Sequence, residues 1–281
     1  MHGDGRSGDL PVVAVMFSGG RDSSLAAVIY CTGGSRVQLL RFMTGFGIPS
    51  PLPEIREAEL RSRFEDTILP TPAPIGVYGL VRRIAIAEIE DDFRRFDGKN
   101  LVLLGEKLSL HAASIVYCLK NGIEILADGT SGYQADMPEQ RDTAIDFFRE
   151  LAQRYGIRYE TPVKAAISDD EVKYALLEAG ISTKSLEGIS MFADSFSMAN
   201  DDTVRAYLEF KEVHAVSYIE RFAATGLRGE PRLGHPRGAC YRSTARGWGP
   251  LALCSFFSGR AGMPDREPAL PAPRFSGRPA V

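Results

Sequence analysis

The chain is expected to fold as an α/β domain, a doubly wound and mostly parallel sheet with a helical C-terminal extension. Three observations predict it. Short apolar runs at 12–18, 37–42, 124–128 and 157–161 alternate with longer amphipathic segments, as strands joined by crossover helices do. The first run passes through Ser18-Gly19-Gly20 straight into a helix-forming stretch. The length of 281 residues, with 44% hydrophobic and 25% charged residues, suits one large domain or a domain plus an extension.

Residues 1–11 are polar and Gly-rich and read as a flexible lead, without a signal-peptide core. A strand over 12–18 is followed by a helix over 22–32, whose buried side is assigned to Leu25, Ala26, Val28 and Ile29 and whose end falls at Gly33-Gly34. A second strand covers 37–42, and a helix covers Glu54 to Phe64. Thr67-Ile68-Leu69 reads as a short strand, stopped by Pro70, Pro72 and Pro74. Helices follow at about Ile84 to Phe96 and Leu101 to Asn121; the second can open as a strand at 101–104, since periodicity alone does not separate the two. Then come a strand at 124–128, a helix from Thr143 to Tyr155, a strand at 157–161 and a helix capped by Ser168 that runs to Ala179.

The domain containing the sheet is placed at 12–185, a helical extension at 186–225 and a Gly/Pro/Arg-rich tail at 226–281. In the tail, Trp248, Leu251, Leu253, Phe256 and Phe257 offer a short docking segment, for this domain or for a second copy in a homodimer. No apolar run approaches the roughly 20 residues of a membrane span, so a cytoplasmic location is expected. The formal net charge of -3 argues against an overall basic surface for nucleic acid. The cysteines Cys31, Cys118, Cys240 and Cys254 form no C-x-x-C pair, and His2, His111, His214 and His235 show no metal-ligand spacing.

The loop after the first strand carries the chemistry. Two glycines let a backbone turn tightly and approach a ligand. Asp22, Ser23 and Ser24 then open a helix, where unpaired N–H groups and the dipole favour an anion such as phosphate. No lysine follows Gly20, so this is not a Walker loop, and it is not Gly-x-Gly-x-x-Gly. In an open α/β sheet ligands sit beyond the carboxyl ends of the strands, at the switch in strand order. Arg41 and Phe42 at the end of the second strand, and Asp128 to Gln134 after the later one, project there too.

Ser18, Gly19, Gly20, Asp22 and Ser23 resemble the SGGxDS loop of the PP-loop ATP pyrophosphatases, which implies an adenine nucleotide alpha hydrolase-like, Rossmann-like fold. Within that superfamily the chain resembles the 7-cyano-7-deazaguanine synthase branch over roughly 11–185. The resemblance rests on Asn100-Leu101-Val102-Leu103-Leu104, Ser131-Gly132-Tyr133, Pro138-Glu139-Gln140-Arg141 and Glu160-Thr161-Pro162. It also departs from that branch. The zinc-binding cysteine cluster has no counterpart in Ser185 to Lys211, the Ser-Lys pair reads Ser168-Asp169, and Gln134 stands where a proline is usual. The fold and the use of ATP therefore carry over, while the deazaguanine substrate does not.

The resemblance implies ATP and Mg²⁺ as cofactors. It implies an oxygen of a small nucleobase-like acceptor that takes AMP while pyrophosphate leaves, and a sulfur or nitrogen nucleophile that then displaces AMP. Sulfur is weighed slightly above nitrogen, from a sulfur donor or free sulfide. The expected nucleotide contacts are Ser18, Gly19, Gly20, Arg21, Asp22, Ser23, Ser24, Arg41, Phe42 and Gly129, with Asp22 and Ser23 catalytic and Asp22 a candidate Mg²⁺ contact. Arg21 is placed equally well for phosphate or for solvent. Expected acceptor contacts are Asp128, Ser131, Tyr133, Gln134 and Arg141, and Glu106 and Lys107, which interrupt an apolar segment, either face the cleft or begin a helix. Amide or nitrile formation, thiolation of tRNA, which the charge disfavours, and a non-catalytic nucleotide-binding subunit stand as alternatives. Cys31 and Cys118, on apolar helices, are expected to be buried.

Overall fold

The computed structural model describes residues 10–48, 50–190, 192 and 197–224, which fall in one compact unit. Four parallel strands form the central sheet: β1 (Val12–Met16), β2 (Arg36–Leu40), β6 (Ile125–Ala127) and β7 (Arg158–Glu160), in the order β2-β1-β6-β7. The chain leaves β1 to one side, through α1 (Arg21–Thr32), to reach β2. It later returns on the other side of β1, where Val13, Ala14 and Val15 pair with Ile125, Leu126 and Ala127. The switch in strand order therefore falls between β1 and β6, and the loops that leave both strands face one crevice.

Between β2 and β6 lie the two-residue strands β3 (Phe42–Met43), β4 (Gly47–Ile48) and β5 (Ile75–Gly76), with helices α2 (Leu52–Arg63), α3 (Tyr78–Val81), α4 (Ile89–Arg95) and α5 (Val102–Asn121). β3 runs parallel to β5. After β6 come α6 (Asp142–Gln153), β7, α7 (Asp169–Glu178), a two-residue strand β8 (Ile189–Ser190) antiparallel to β4, and α8 (Asp201–Ala224).

Alternation along β1 builds both layers, since successive strand residues point to opposite faces. Val13 and Val15 join Leu25, Ala26 and Val28 of α1, Leu60 of α2, and Val172 and Leu176 of α7. Ala14 and Met16 join Leu104, Leu108 and Ile115 of α5, Phe147 and Phe148 of α6, and Val204, Tyr207 and Leu208 of α8. The helical C-terminal part thus completes the second core. Ser168 caps α7 by accepting the Glu171 amide at 3.2 Å, while Glu171 accepts the Ile167 amide at 2.9 Å, a reciprocal arrangement close to a capping box.

Several expectations need correction. The helix expected over Ile84 to Phe96 is broken into a π-helical turn at Arg82–Ile86, which follows directly on α3, and α4. Position 42 leaves the second strand, and the main sheet, to pair with Ile75. Thr67-Ile68-Leu69 contributes a single bridge, Val37 to Ile68. Residues 101–104 do not open as a strand, because α5 is helical from Val102. Ile29 does not belong to the buried side of α1, being 37% exposed. Against the expectation that no segment has the length of a span, Val102–Asn121 is long and apolar enough to cross a membrane. It is a core helix here, with 67% of its apolar window buried inside the fold. The tail at 226–281, with Cys240, Cys254 and Trp248, lies outside the described residues, as do His2, His235 and most of the N-terminal lead.

Candidate functional site

The loop from β1 to α1 is held by short hydroxyl side chains. Ser23 Oγ lies 3.2 Å from Ser18 Oγ, accepts the Ser18 amide at 3.3 Å and donates to the Gly20 carbonyl at 3.2 Å. Ser18 Oγ accepts the Gly20 amide at 3.2 Å, and Ser24 Oγ donates to the Gly20 carbonyl at 2.6 Å. Gly19 has φ +84°, which side chains strongly disfavour. The amides of Arg21, Asp22 and Ser23 open α1, where no carbonyl four residues back lies within the helix, so they are available to an acceptor. The arrangement is a cradle for an anion.

Asp22 sits at the lip of this cradle. Tyr133 Oη, on the loop after β6, lies 2.9 Å from both Asp22 carboxylate oxygens. Burial, opposed by the Tyr133 hydrogen bond and reinforced by Glu187 and Asp169, pushes the Asp22 carboxyl up to about 6. Gly129 lies flat on the same turn: a Cβ there would collide with the Asp22–Ser23 peptide. The loops after β1 and β6 therefore share a wall.

Beneath the second loop lies a buried polar network. Asp128 accepts the Thr130 amide at 2.9 Å and the Tyr159 hydroxyl at 2.8 Å, and pairs with Lys107 Nζ at 3.0 Å. Lys107 also donates to Thr130 Oγ1 at 2.6 Å. Burial works to raise the Asp128 carboxyl, but the Lys107 charge and the hydrogen bonds from Thr130 hold it below the ordinary range. His111 is fully buried and stacks on Phe148 with centroids 4.0 Å apart. Neither ring nitrogen has a hydrogen-bond partner, and burial pushes its pKa down to about 3, so it is neutral.

The structure thus brings together Ser18, Gly19, Gly20, Asp22, Ser23, Ser24, Gly129 and Tyr133. The other expected contacts are engaged by neighbouring side chains. Asp128 faces inward, with its oxygens engaged by the network. Arg21 pairs with Asp169 at 2.8 Å. Arg41 pairs with Glu54 and Glu57 of α2. Phe42 packs against the apolar core. Arg141 pairs with Asp201, at the start of α8, at 2.7 Å. Ser131 is buried and donates to Gln134 Oε1 at 3.2 Å, so both are spent partly on shaping their own loop. Glu106 is held up by burial and by Glu139, with Thr44 as its hydrogen-bond partner.

Sequence reasoning missed Glu187, whose carboxylate lies against Gly20, and it missed Arg56 and Glu59 of α2, which bond to the backbone at Ser182. The Asp128–Lys107 pairing left one visible signal, a lysine inside an apolar helix. Cys31 and Cys118 are buried, and burial pushes the Cys118 thiol up to about 12, so neither is poised as a thiolate. A cavity of about 350 Å³, lined by Ile89, Phe93, Leu101, Val102 and Tyr207 among others, is bordered by none of the loop residues.

Among the described residues, no three or more His, Cys, Asp and Glu side chains are grouped to hold a metal ion. Asp22, with the Glu187 carboxylate nearby, could touch a cation beside the cradle, and a bound polyphosphate would have to supply the remaining oxygens.

No family model and no curated protein matches the chain. Among solved structures it is similar to a predicted subunit of tRNA methyltransferase from Methanocaldococcus jannaschii, with 23% identity, a TM-score of 0.37, and coverage of 65% of this chain and 94% of that one. Similarity at that level carries no functional argument.

Proposed function

We propose that the chain is an ATP-dependent enzyme of the PP-loop kind, which activates an oxygen of a small nucleobase-like acceptor as its AMP ester and replaces it with sulfur or nitrogen. One observation carries the reading: the cradle built by Ser18, Gly19, Gly20, Ser23 and Ser24, with open helix amides above it and Asp22 at its lip. ATP supplies the activated phosphorus: the acceptor oxygen bonds to the α-phosphorus, the α–β bridge breaks, and the incoming nucleophile later expels AMP together with that oxygen.

The chain's own residues bind and orient. The cradle amides hold leaving phosphate oxygens, and preorganised backbone donors stabilise the charge that develops on them. Tyr133 fixes the direction of Asp22. The second loop, resting on Asp128 and Lys107, presents the acceptor beside the cradle, and Gly129 allows the two loops to touch.

The test uses the full chain with ATP and Mg²⁺, a panel of guanine-type bases and nucleotides, and sulfide or ammonium, with products read by mass spectrometry. AMP and pyrophosphate that form only with a suitable acceptor are expected, with the acceptor's oxygen recovered in AMP. Formation of ADP and phosphate overturns the reading, and nucleotide binding without turnover across the panel favours a binding subunit.

A further inference from the structure

Arg56 is the largest fully buried side chain, with 0% exposure, although it lies on a helix that is otherwise largely charged and exposed. Its guanidinium does not serve that helix alone. Nη1 donates to the Ser182 carbonyl at 2.7 Å and to Glu59 at 2.8 Å, and Nη2 donates to the Lys184 carbonyl. Glu59 in turn accepts the Ser182 amide at 2.6 Å and the Ser182 hydroxyl at 3.1 Å. One turn of α2 thus grips the backbone of the segment that follows α7.

Beyond this grip the segment crosses the cradle. The Leu186 carbonyl occupies the space that a side chain on Gly19 would need, with Pro53 of α2 beside it. The Gly188 amide points to the Ser18 carbonyl at 3.4 Å, and the Glu187 carboxylate rests against Gly20. The far end is tied by the β4–β8 pairing. Residues 182–190 are therefore a strap, anchored at both ends and laid across Ser18–Gly20. The contacts between the anchors are weak. A 3.4 Å hydrogen bond is long, and Glu187 places a negative charge near Asp22, which repels it. The grip at Arg56 and Glu59 is what opposes that repulsion.

We propose that Arg56 and Glu59 are positioning residues for the phosphate loop, acting through the 182–190 strap, so that strap and loop become ordered together when a polyphosphate binds. This rests on the nucleotide reading above. Arg56 is suited to the task because its planar fork reaches two strap carbonyls and Glu59 at once, which a lysine cannot reproduce.

The test is hydrogen exchange on the full chain with Mg²⁺ and α,β-methylene-ATP, whose α–β bridge resists cleavage. In the wild type, exchange is expected to slow in both 18–24 and 182–188. In Arg56→Lys the strap exchanges faster, α5 is unchanged, and the dissociation constant of the analogue rises by about tenfold, the loss of roughly one charge-assisted hydrogen bond. Glu59→Gln, which keeps the size of the side chain, shows the same pattern more weakly and serves where Arg56→Lys folds poorly. Protection of 18–24 alone in the wild type, or wild-type affinity in both variants, overturns this inference and leaves the nucleotide reading standing. Faster exchange in α5 as well marks a general loss of stability and also overturns it. Absence of protection in both segments overturns the nucleotide reading and this inference with it.

Discussion

The two loops that meet at the β1–β6 crevice are built by opposite means. The first is shaped from within: serine hydroxyls five residues apart or closer, a left-handed glycine and a helix start. The second is shaped from outside, by Lys107 of α5 and Tyr159 of β7 converging on Asp128. The hydroxyl framework of the first loop needs nothing from the second, although the 182–190 strap lies across it, whereas a loop resting on a buried ion pair depends on the elements that supply its partners.

Removing one member of that pair is the strongest way to break the contrast. Lys107→Met leaves the Asp128 carboxylate buried without its cation and is expected to cost about 3–5 kcal/mol of stability. Adding Asp128→Asn to Lys107→Met should recover a large part of that loss, read as melting temperatures in a double-mutant cycle. Additive losses would show that the two groups are not coupled.

Acidification sharpens the contrast, because the two loops respond with opposite sign. His111 beneath the second loop has its pKa lowered from 6.5 to about 3. Its stabilising contribution is therefore present above 6.5 and lost as the unfolded chain takes up a proton, about 2 kcal/mol between about pH 7 and about pH 5. Asp22 in the first loop has its pKa raised from 3.8 to about 6. Its contribution is greatest below 3.8 and is lost as pH rises through about 6, so the same acidification returns roughly 1 kcal/mol in the metal-free chain. Denaturant titrations should show His111→Phe less sensitive to acid than the wild type and Asp22→Asn more sensitive. Parallel shifts in the two variants would contradict this.

The smallest expected effect lies inside the first loop. Ser24→Ala removes a buried hydroxyl that donates to the Gly20 carbonyl at 2.6 Å, at a cost of about 1 kcal/mol. If the first loop is shaped independently of the second, the pH response of Asp22 and the exchange of 128–134 should not change.

The same contrast explains what could be read from the sequence. The first loop, the Ser168 cap and the apolar run of β1 are local patterns, so they are legible in order along the chain. The placement of both loops at a switch in strand order followed from fold rules. Arg41, Phe42 and Arg141 lie near the right strands or loops, but their direction depends on partners elsewhere: Glu54 and Glu57, the apolar core, and Asp201. The π-helical turn at Arg82–Ile86 breaks a helix that propensity alone would run straight through. Arg56 reads as a surface residue of a charged helix, and only the return of residues 182–184 explains its burial.

The wall that α8 supplies has a consequence for how this protein is made. Val204, Tyr207, Leu208, Ala215 and Ile219 close the core over Leu104 and Leu108 of α5. The strap and that helix are encoded after residue 180, whereas the cradle is encoded within the first 24. During synthesis from the N-terminus, the cradle leaves the ribosome first, yet its strap and the apolar face of α5 wait for the last described fifth of the chain. Until then a nascent chain exposes the surface of α5, a natural target for a chaperone, and a truncation before α8 would keep it exposed.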